Sequence, residues 1–239
     1  QSVFRSTPCR GMIIAIDGPA GAGKTTVARA LARALNLTHI DTGAMYRAVA
    51  LQCLRLGVAP DDNESIVRIA QDMTILFQPC GQCDAPGDTD NGQRVIVNGF
   101  DVTREIRDPA VTALASPISA IPAVRQVLVA KQRELAESGN VVMEGRDIGT
   151  VVLPNADLKV FLTASPDVRA RRRYEELLRQ GHVVDYSTVL RGINERDTRD
   201  STRADSPMVP AADAVLLNTD DLSVEEVVER IARMARATR

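Results

Sequence analysis

Residues 18–25 read Gly18-Pro19-Ala20-Gly21-Ala22-Gly23-Lys24-Thr25, the G-x-x-x-x-G-K-[ST] spacing of a phosphate-binding loop. Glycines at these positions let the backbone turn successive N–H groups inward around phosphate oxygens, and the N-terminus of a following helix adds partial positive charge. Lys24 is placed to reach the β- and γ-phosphates of a nucleoside triphosphate, and the Thr25 hydroxyl to ligate Mg2+. Gly18, Pro19, Ala20, Gly21, Ala22, Gly23, Lys24, Thr25 and Thr26 form the candidate ATP-binding set. The competing reading, a Gly-rich turn that binds nothing, is disfavoured by the strand and helix patterns on either side.

Other segments carry ionisable groups suited to a second phosphate. Asp41-Thr42-Gly43-Ala44-Met45-Tyr46-Arg47 offers Thr42 and Arg47 as phosphate donors and Tyr46 as a surface beside a base or sugar. As plain structure it would be a helix cap with Arg47 in solvent. Glu144-Gly145-Arg146-Asp147-Ile148-Gly149 sets a phosphate-binding cation beside a carboxylate able to accept from an amino group, or else forms a loop ion pair. Arg196, Asp200 and Arg203 share one face of a helix, with Arg199 a turn from both arginines. Several cations around one carboxylate suit a phosphorylated ribose better than a surface pair, although a solvated charged face has the same pattern. Arg169, Arg171, Arg172 and Arg173 crowd a helix start, where the dipole disfavours cations unless an anion is present. They read as a lid meeting phosphates, or as a solvated Arg-rich face. No Ser/His/Asp set is present, and neither His39 nor His182 is placed as a catalytic base. A phosphate acceptor needs none, being already ionised, so positioning and charge neutralisation carry the catalysis.

These groups need elements to hold them. An apolar strand at 12–17 and a helix at 24–35 flank the phosphate loop. A short strand at 38–41 and a helix at 43–56 follow, then a helix at 62–73. Short β-type runs at 74–77 and 94–98 are joined by 78–93, rich in Gly, Pro, Asp and Cys, which reads as an exposed hairpin loop. Asn98-Gly99 signals a tight turn into a strand at 100–103. Helices at 109–120 and 122–138 come next, the second opened by Pro122 and closed by Gly139. Strands at 141–144 and 158–162, helices at 167–179 and 186–199, a last buried strand at 214–217 and a helix capped by Ser223 with Glu226 complete the chain. Strands alternating with helices imply a parallel sheet covered on both faces, with ligands gathered beyond the carboxyl ends of its strands.

The 239 residues suffice for one domain with insertions or two small ones. A net charge of −2 provides no basic field, so nucleic acid is not an expected partner. Lys occurs only at 24, 131 and 159, which reflects either phosphate recognition by Arg or coding bias. No apolar run is long enough to span a bilayer, and 1–11 has no signal-peptide core and reads as a tail. Cys53 reads as core. Cys80 and Cys83 alone are a weak metal or redox signal, because no second pair or nearby His completes a site. A cytoplasmic, reducing location is expected.

Together, the segment from Ile16 to Lys24, Asp41 to Arg47, Glu144-Gly145-Arg146-Asp147-Ile148-Gly149-Thr150-Val151, and Glu195-Arg196-Asp197 with Asp200 and Arg203 resemble the bacterial cytidylate (CMP) kinases of the nucleoside monophosphate kinase superfamily. The resemblance runs from Met12 to Ala235. The phosphate loop is common to many families, and the Tyr46 and Gly145-to-Val151 segments are the more specific. The resemblance implies an α/β fold with a parallel-sheet P-loop kinase core at 12–60 and 107–239. It further implies a short helical lid at about 165–190 and a small antiparallel acceptor-binding insert at 61–106. It implies ATP-dependent phosphorylation of CMP, and of dCMP; Mg2+ with ATP and a monomeric chain are expected beside it. Carried over by position, Thr42, Arg47, Arg146 and Arg203 would hold the acceptor phosphate. Ser116, Arg125 and Asp147 would read cytosine, Arg196 and Asp200 would contact the sugar, and Arg172 would be the lid cation at the transferred phosphoryl group. Lys24, Arg146, Arg172 and Arg203 are then the catalytic set. Loop 78–93 looks longer than the family requires.

Two alternatives stand beside this reading. One is a kinase of another small acceptor such as UMP, disfavoured because uracil would turn a carbonyl toward Asp147. The other is a regulatory module that binds ATP without turnover, disfavoured because a sensor needs no second phosphate site.

Overall fold

The computed structural model describes residues 11–79 and 93–238. The tail at 1–10, Cys80 and Cys83, and most of the 78–93 loop lie outside the described residues. The chain runs β1 (Ile13–Asp17), α1 (Lys24–Leu35), β2 (Thr38–Asp41), α2 (Thr42–Leu56), α3 (Asn63–Asp72), β3 (Ile75–Pro79), β4 (Gln93–Val97) and β5 (Phe100–Asp101). It continues through α4 (Pro109–Ile118), α5 (Pro122–Ala136), β6 (Val141–Glu144), β7 (Leu158–Thr163), α6 (Pro166–Arg179), α7 (Tyr186–Thr202), β8 (Val215–Asn218) and α8 (Val224–Ala237).

β1, β2, β6, β7 and β8 form one parallel sheet in the order β2-β6-β1-β7-β8, and β3, β4 and β5 form a separate antiparallel sheet. Alternation along β1 sends Ile14 and Ile16 to one face, where they pack with Leu31 of α1 and Ile231 of α8. Ala15 goes to the other face, with Val129 of α5 and Ile148. Burial on both sides is why the central strands are almost wholly apolar. A third cluster joins α2, α3, α4 and α5 to the small sheet.

Register determines where the site can be. Ile16 pairs with Glu144, and Asp41 pairs with Glu144 from the other side, so the carboxyl ends of β1, β2 and β6 meet at one rim. Each strand ends on an acidic residue there: Asp41 accepts from the Ala44 N–H of the following helix, Asp17 from the Ile148 and Gly149 N–H groups beyond β6, and Glu144 from the Thr25 hydroxyl.

Three differences from the sequence expectations have physical reasons. The last strand is not buried: β8 pairs only with β7 at the sheet edge, and Leu216 is 63% exposed. The helix expected to end at 199 continues to Thr202, which keeps Asp200 on the same rigid element as Arg196. A π-helical turn over Ile148–Val152, invisible to periodicity, follows the Arg146-Asp147 pair. The capping box of Ser223 and Glu226 is formed as expected.

Candidate active site

β1 delivers the chain into the phosphate loop, where Gly18 has φ +142° and a Cβ would lie 2.0 Å from the Leu162 carbonyl oxygen. Gly23, left-handed at φ +87°, caps α1, so the first-turn amides of α1 face the loop. Lys24 is buried and its Nζ donates to the Pro19 carbonyl at 2.8 Å. Burial, and then the nearby Arg146 charge, lower its pKa to about 7. The Thr25 hydroxyl donates to Glu144 Oε2 at 3.0 Å, and Thr26 is exposed on the same turn. Glu144, 3% exposed, also binds His39 Nε2 at 2.9 Å through its other oxygen.

The acceptor candidates converge on the same rim. Asp41 caps α2 through Ala44 N and holds Arg47 Nη2 at 2.7 Å. Burial opposes ionisation of Asp41, but Arg47 and His39 outweigh it and bring its carboxyl down to about 2. Thus the cap reading of Asp41 is real, while Arg47 is turned inward. The Thr42 hydroxyl donates to the Glu144 carbonyl at 2.7 Å, so Glu144 contacts both the phosphate loop and the acceptor rim. Asp200 accepts from Arg146 Nε at 3.0 Å and lies 3.9 Å from Arg196 Nε. Asp147 is hydrogen-bonded to buried Arg125 and lies 3.7 Å from Arg203 Nη2. The Arg125 guanidinium also sits 5.8 Å from the Tyr46 ring, and Asp205 approaches it to 3.9 Å at the exposed rim. Ser116 stands on α4, and its hydroxyl accepts from Arg199 Nη1 at 2.5 Å.

Asp147 and Asp200 thus serve four guanidiniums, and the Arg47, Arg146 and Arg173 charges all press on Arg196. Burial first, then Arg146, lowers Arg196 to about 10. Arg47 Nε, Arg196 Nε and Arg203 Nη2 are buried without hydrogen-bond partners. Buried charged donors left unspent are costly, and an anion seated among them removes that cost.

The arginines at the start of α6 separate into different jobs. Arg169 is buried, donates to Ala164 and Ala20 carbonyls, and pairs with Asp197 of α7 at 2.6 Å. Arg172 donates to the Thr219 carbonyl and hydroxyl at 2.6 and 3.1 Å. The expectation that this cluster requires an anion therefore fails for these two, because backbone carbonyls and Asp197 satisfy them. Arg173 pairs with Glu176, and its charge also acts on Arg196.

The cytidylate kinase family model matches residues 14–237. The chain belongs to the cytidylate kinase family. It is 50% identical over 226 residues to the cytidylate kinase of Pelotomaculum thermopropionicum, covering 95% of this chain and 96% of that protein. It is 51% identical over 223 residues to that of Caldanaerobacter subterraneus subsp. tengcongensis, covering 93% and 94%. A solved structure of an uncharacterized protein from Eubacterium ventriosum shares the fold alone, at 14% identity and TM-score 0.50, over 95% of this chain and 99% of that one.

In this cytidylate kinase family member the residues missed from sequence were Asp17, His39, Glu144 and Arg169 as structural partners of the site. Their signal was positional: Asp17 and Glu144 are the acidic residues that end apolar strands, but only the register of the sheet puts Glu144 beside Thr25. No single helix among the described residues is long and apolar enough to cross a membrane. The tightness at Gly18 has a measurable consequence. Gly18→Ala is expected to lose about 3 kcal/mol of stability in urea unfolding, from backbone strain plus the Leu162 clash; an unchanged midpoint would contradict the geometry.

Proposed function

We infer that the chain transfers the γ-phosphoryl group of ATP to CMP, and to dCMP, giving ADP and CDP or dCDP. The observation that carries this reading is the buried set of donors on Arg47, Arg196 and Arg203 that make no hydrogen bond at the rim where β1, β2 and β6 end. One anion site on the loop and a second a short distance away are what transfer between two phosphates requires.

In this reading Lys24 and the loop amides hold the donor phosphates. Thr42, Arg47, Arg146 and Arg203 hold the acceptor phosphate, and Arg196 and Asp200 contact the sugar. Arg146 lies between the halves, because its charge acts on Lys24 as well as binding Asp200. It is therefore suited to the phosphoryl group in flight. Arg172, the lid arginine expected at that group, donates to Thr219, and Arg173 pairs with Glu176, so either would exchange its present partner to reach the phosphoryl group. The Thr25 hydroxyl, with Glu144 behind it, supplies oxygen donors of the kind Mg2+ takes alongside substrate phosphates. The ion, when bound with ATP, neutralises charge on the β- and γ-phosphates.

Selectivity for cytosine rests on Ser116, Arg125 and Asp147. The carboxylate accepts from the N4 amino group while the guanidinium donates to the N3 and O2 side. Uracil would set a carbonyl against Asp147, acceptor facing acceptor, with no hydrogen bond between them. In this reading the acting unit is a monomer.

A coupled ADP-release assay with CMP, dCMP, UMP and AMP tests the reading. Turnover with CMP and dCMP is expected to exceed that with UMP by about 10^2-fold or more. Equal rates with all four would defeat the cytosine assignment, and ATP binding without turnover on any would favour a regulatory module.

A further inference from the structure

The phosphate-loop segment contains one carboxylate whose bonds all lead away from the nucleotide side. Asp17, the last residue of β1, is 5% exposed. Its Oδ1 accepts from Ile148 N and its Oδ2 from Gly149 N, both at 2.8 Å. Lys24, the nearest obvious partner, spends its Nζ on Pro19 instead.

Those two amides open the π-helical turn that directly follows Arg146 and Asp147. The turn is held within itself by Val152 N to the Asp147 carbonyl and Leu153 N to the Ile148 carbonyl. A single wide turn of this kind has little stability of its own, and its leading amides have no carbonyl to bond within the turn. Asp17 supplies both acceptors. Packing closes the same joint: a Cβ on Gly149 would lie 3.1 Å from Lys159 Cδ and 3.4 Å from Asp17 Oδ2, while Ile148 is buried under α5. Burial raises the Asp17 carboxyl to about 6 against the two N–H groups that favour ionisation, so it is mainly a carboxylate at neutral pH and can accept both bonds.

We propose that Asp17 is a positioning residue for the acceptor site: by holding Ile148 and Gly149 it sets the placement of Arg146 and Asp147. It would act on CMP although it stands within the ATP motif. The proposal rests on Arg146 and Asp147 meeting the acceptor.

The test uses Asp17→Asn, which keeps the shape but turns an amide donor toward one of the two N–H groups, and Asp17→Ala, which removes both acceptors. Losing charged hydrogen bonds of this kind should raise the KM for CMP by about 10- to 100-fold. Amide exchange at Ile148 and Gly149 should accelerate by a similar factor, while ATP affinity by calorimetry should stay within about twofold of wild type. In an Asp147→Asn background the Asp17→Asn effect on CMP should shrink, because both act through one group. A loss of ATP affinity equal to the loss for CMP, full additivity with Asp147→Asn, or unchanged exchange at the two amides would each overturn the proposal. Absence of CMP turnover by the wild-type chain would instead defeat the functional reading, with the exchange result still reporting on the brace.

Discussion

Lys24→Met is expected to lower kcat by about 10^3-fold, the scale of removing one preorganised charge from a phosphoryl-transfer transition state. The side chain is buried, its Nζ is held by the Pro19 carbonyl, and burial together with Arg146 brings its pKa from 10.5 to about 7. Without nucleotide, then, the folded protein disfavours the charged form. Since the unfolded chain binds more protons than the folded one between about pH 7 and pH 10.5, this group contributes stability that increases as pH rises through that window. ATP is expected to bring compensating negative charge and restore the ammonium. Binding near pH 8 should therefore be accompanied by uptake of most of one proton, measured by calorimetry in buffers of different ionisation enthalpy. Lys24→Met should abolish that uptake while lowering turnover. Proton uptake unaltered in the variant would show that another group titrates, and a kcat within a few-fold of wild type would remove Lys24 from the chemistry.

Asp147→Asn should strike selectivity hardest. Asp147 is hydrogen-bonded to buried Arg125 and sits 3.7 Å from Arg203, so its charge balances two guanidiniums; in the proposed reading it also offers the acceptor for a cytosine amino group. Asparagine can accept with one atom only, and its amide nitrogen would face either the N4 amino group or a guanidinium. The expected result is a fall in kcat/KM for CMP of about 10^2- to 10^3-fold, with UMP affected far less, so that the CMP-to-UMP ratio collapses. Folding stability should also fall, by about 2 kcal/mol, because Arg125 loses a charged partner in a buried site. Steady-state kinetics with both acceptors, beside urea unfolding, separates the two effects. Equal losses for CMP, UMP and ATP binding would reduce Asp147 to a structural role.

The donor half was legible because its requirements are local. The loop needs glycines, a lysine and a hydroxyl at fixed offsets between a strand and a helix, and all of these lie within a dozen residues. The same holds for Asp41 capping α2, Pro122 opening α5 and the Ser223–Glu226 box on α8. Sequence periodicity likewise sufficed for the alternating strands and helices of the main sheet. It failed for β8, whose apolar residues look buried but lie on an edge, since a strand pattern does not say how many neighbours the strand will have.

The arginines divide differently. The sequence alone determined that this chain carries a phosphate loop, an Arg-rich helix start at 169–173 and acidic–basic segments after its strands. Only the tertiary structure decided which partner each cation takes. Arg146 finds Asp200 across 54 positions, Asp17 reaches Ile148 across 131, and Arg169 turns to the phosphate loop across 149. It also decided that Arg172 is tied to Thr219, while Arg47, Arg196 and Arg203 keep unspent donors. The physical reason is range. Backbone conformation and helix capping are set within a few residues. The cost of a buried charge depends on every group packed around it, and the folded sheet alone brings those groups together.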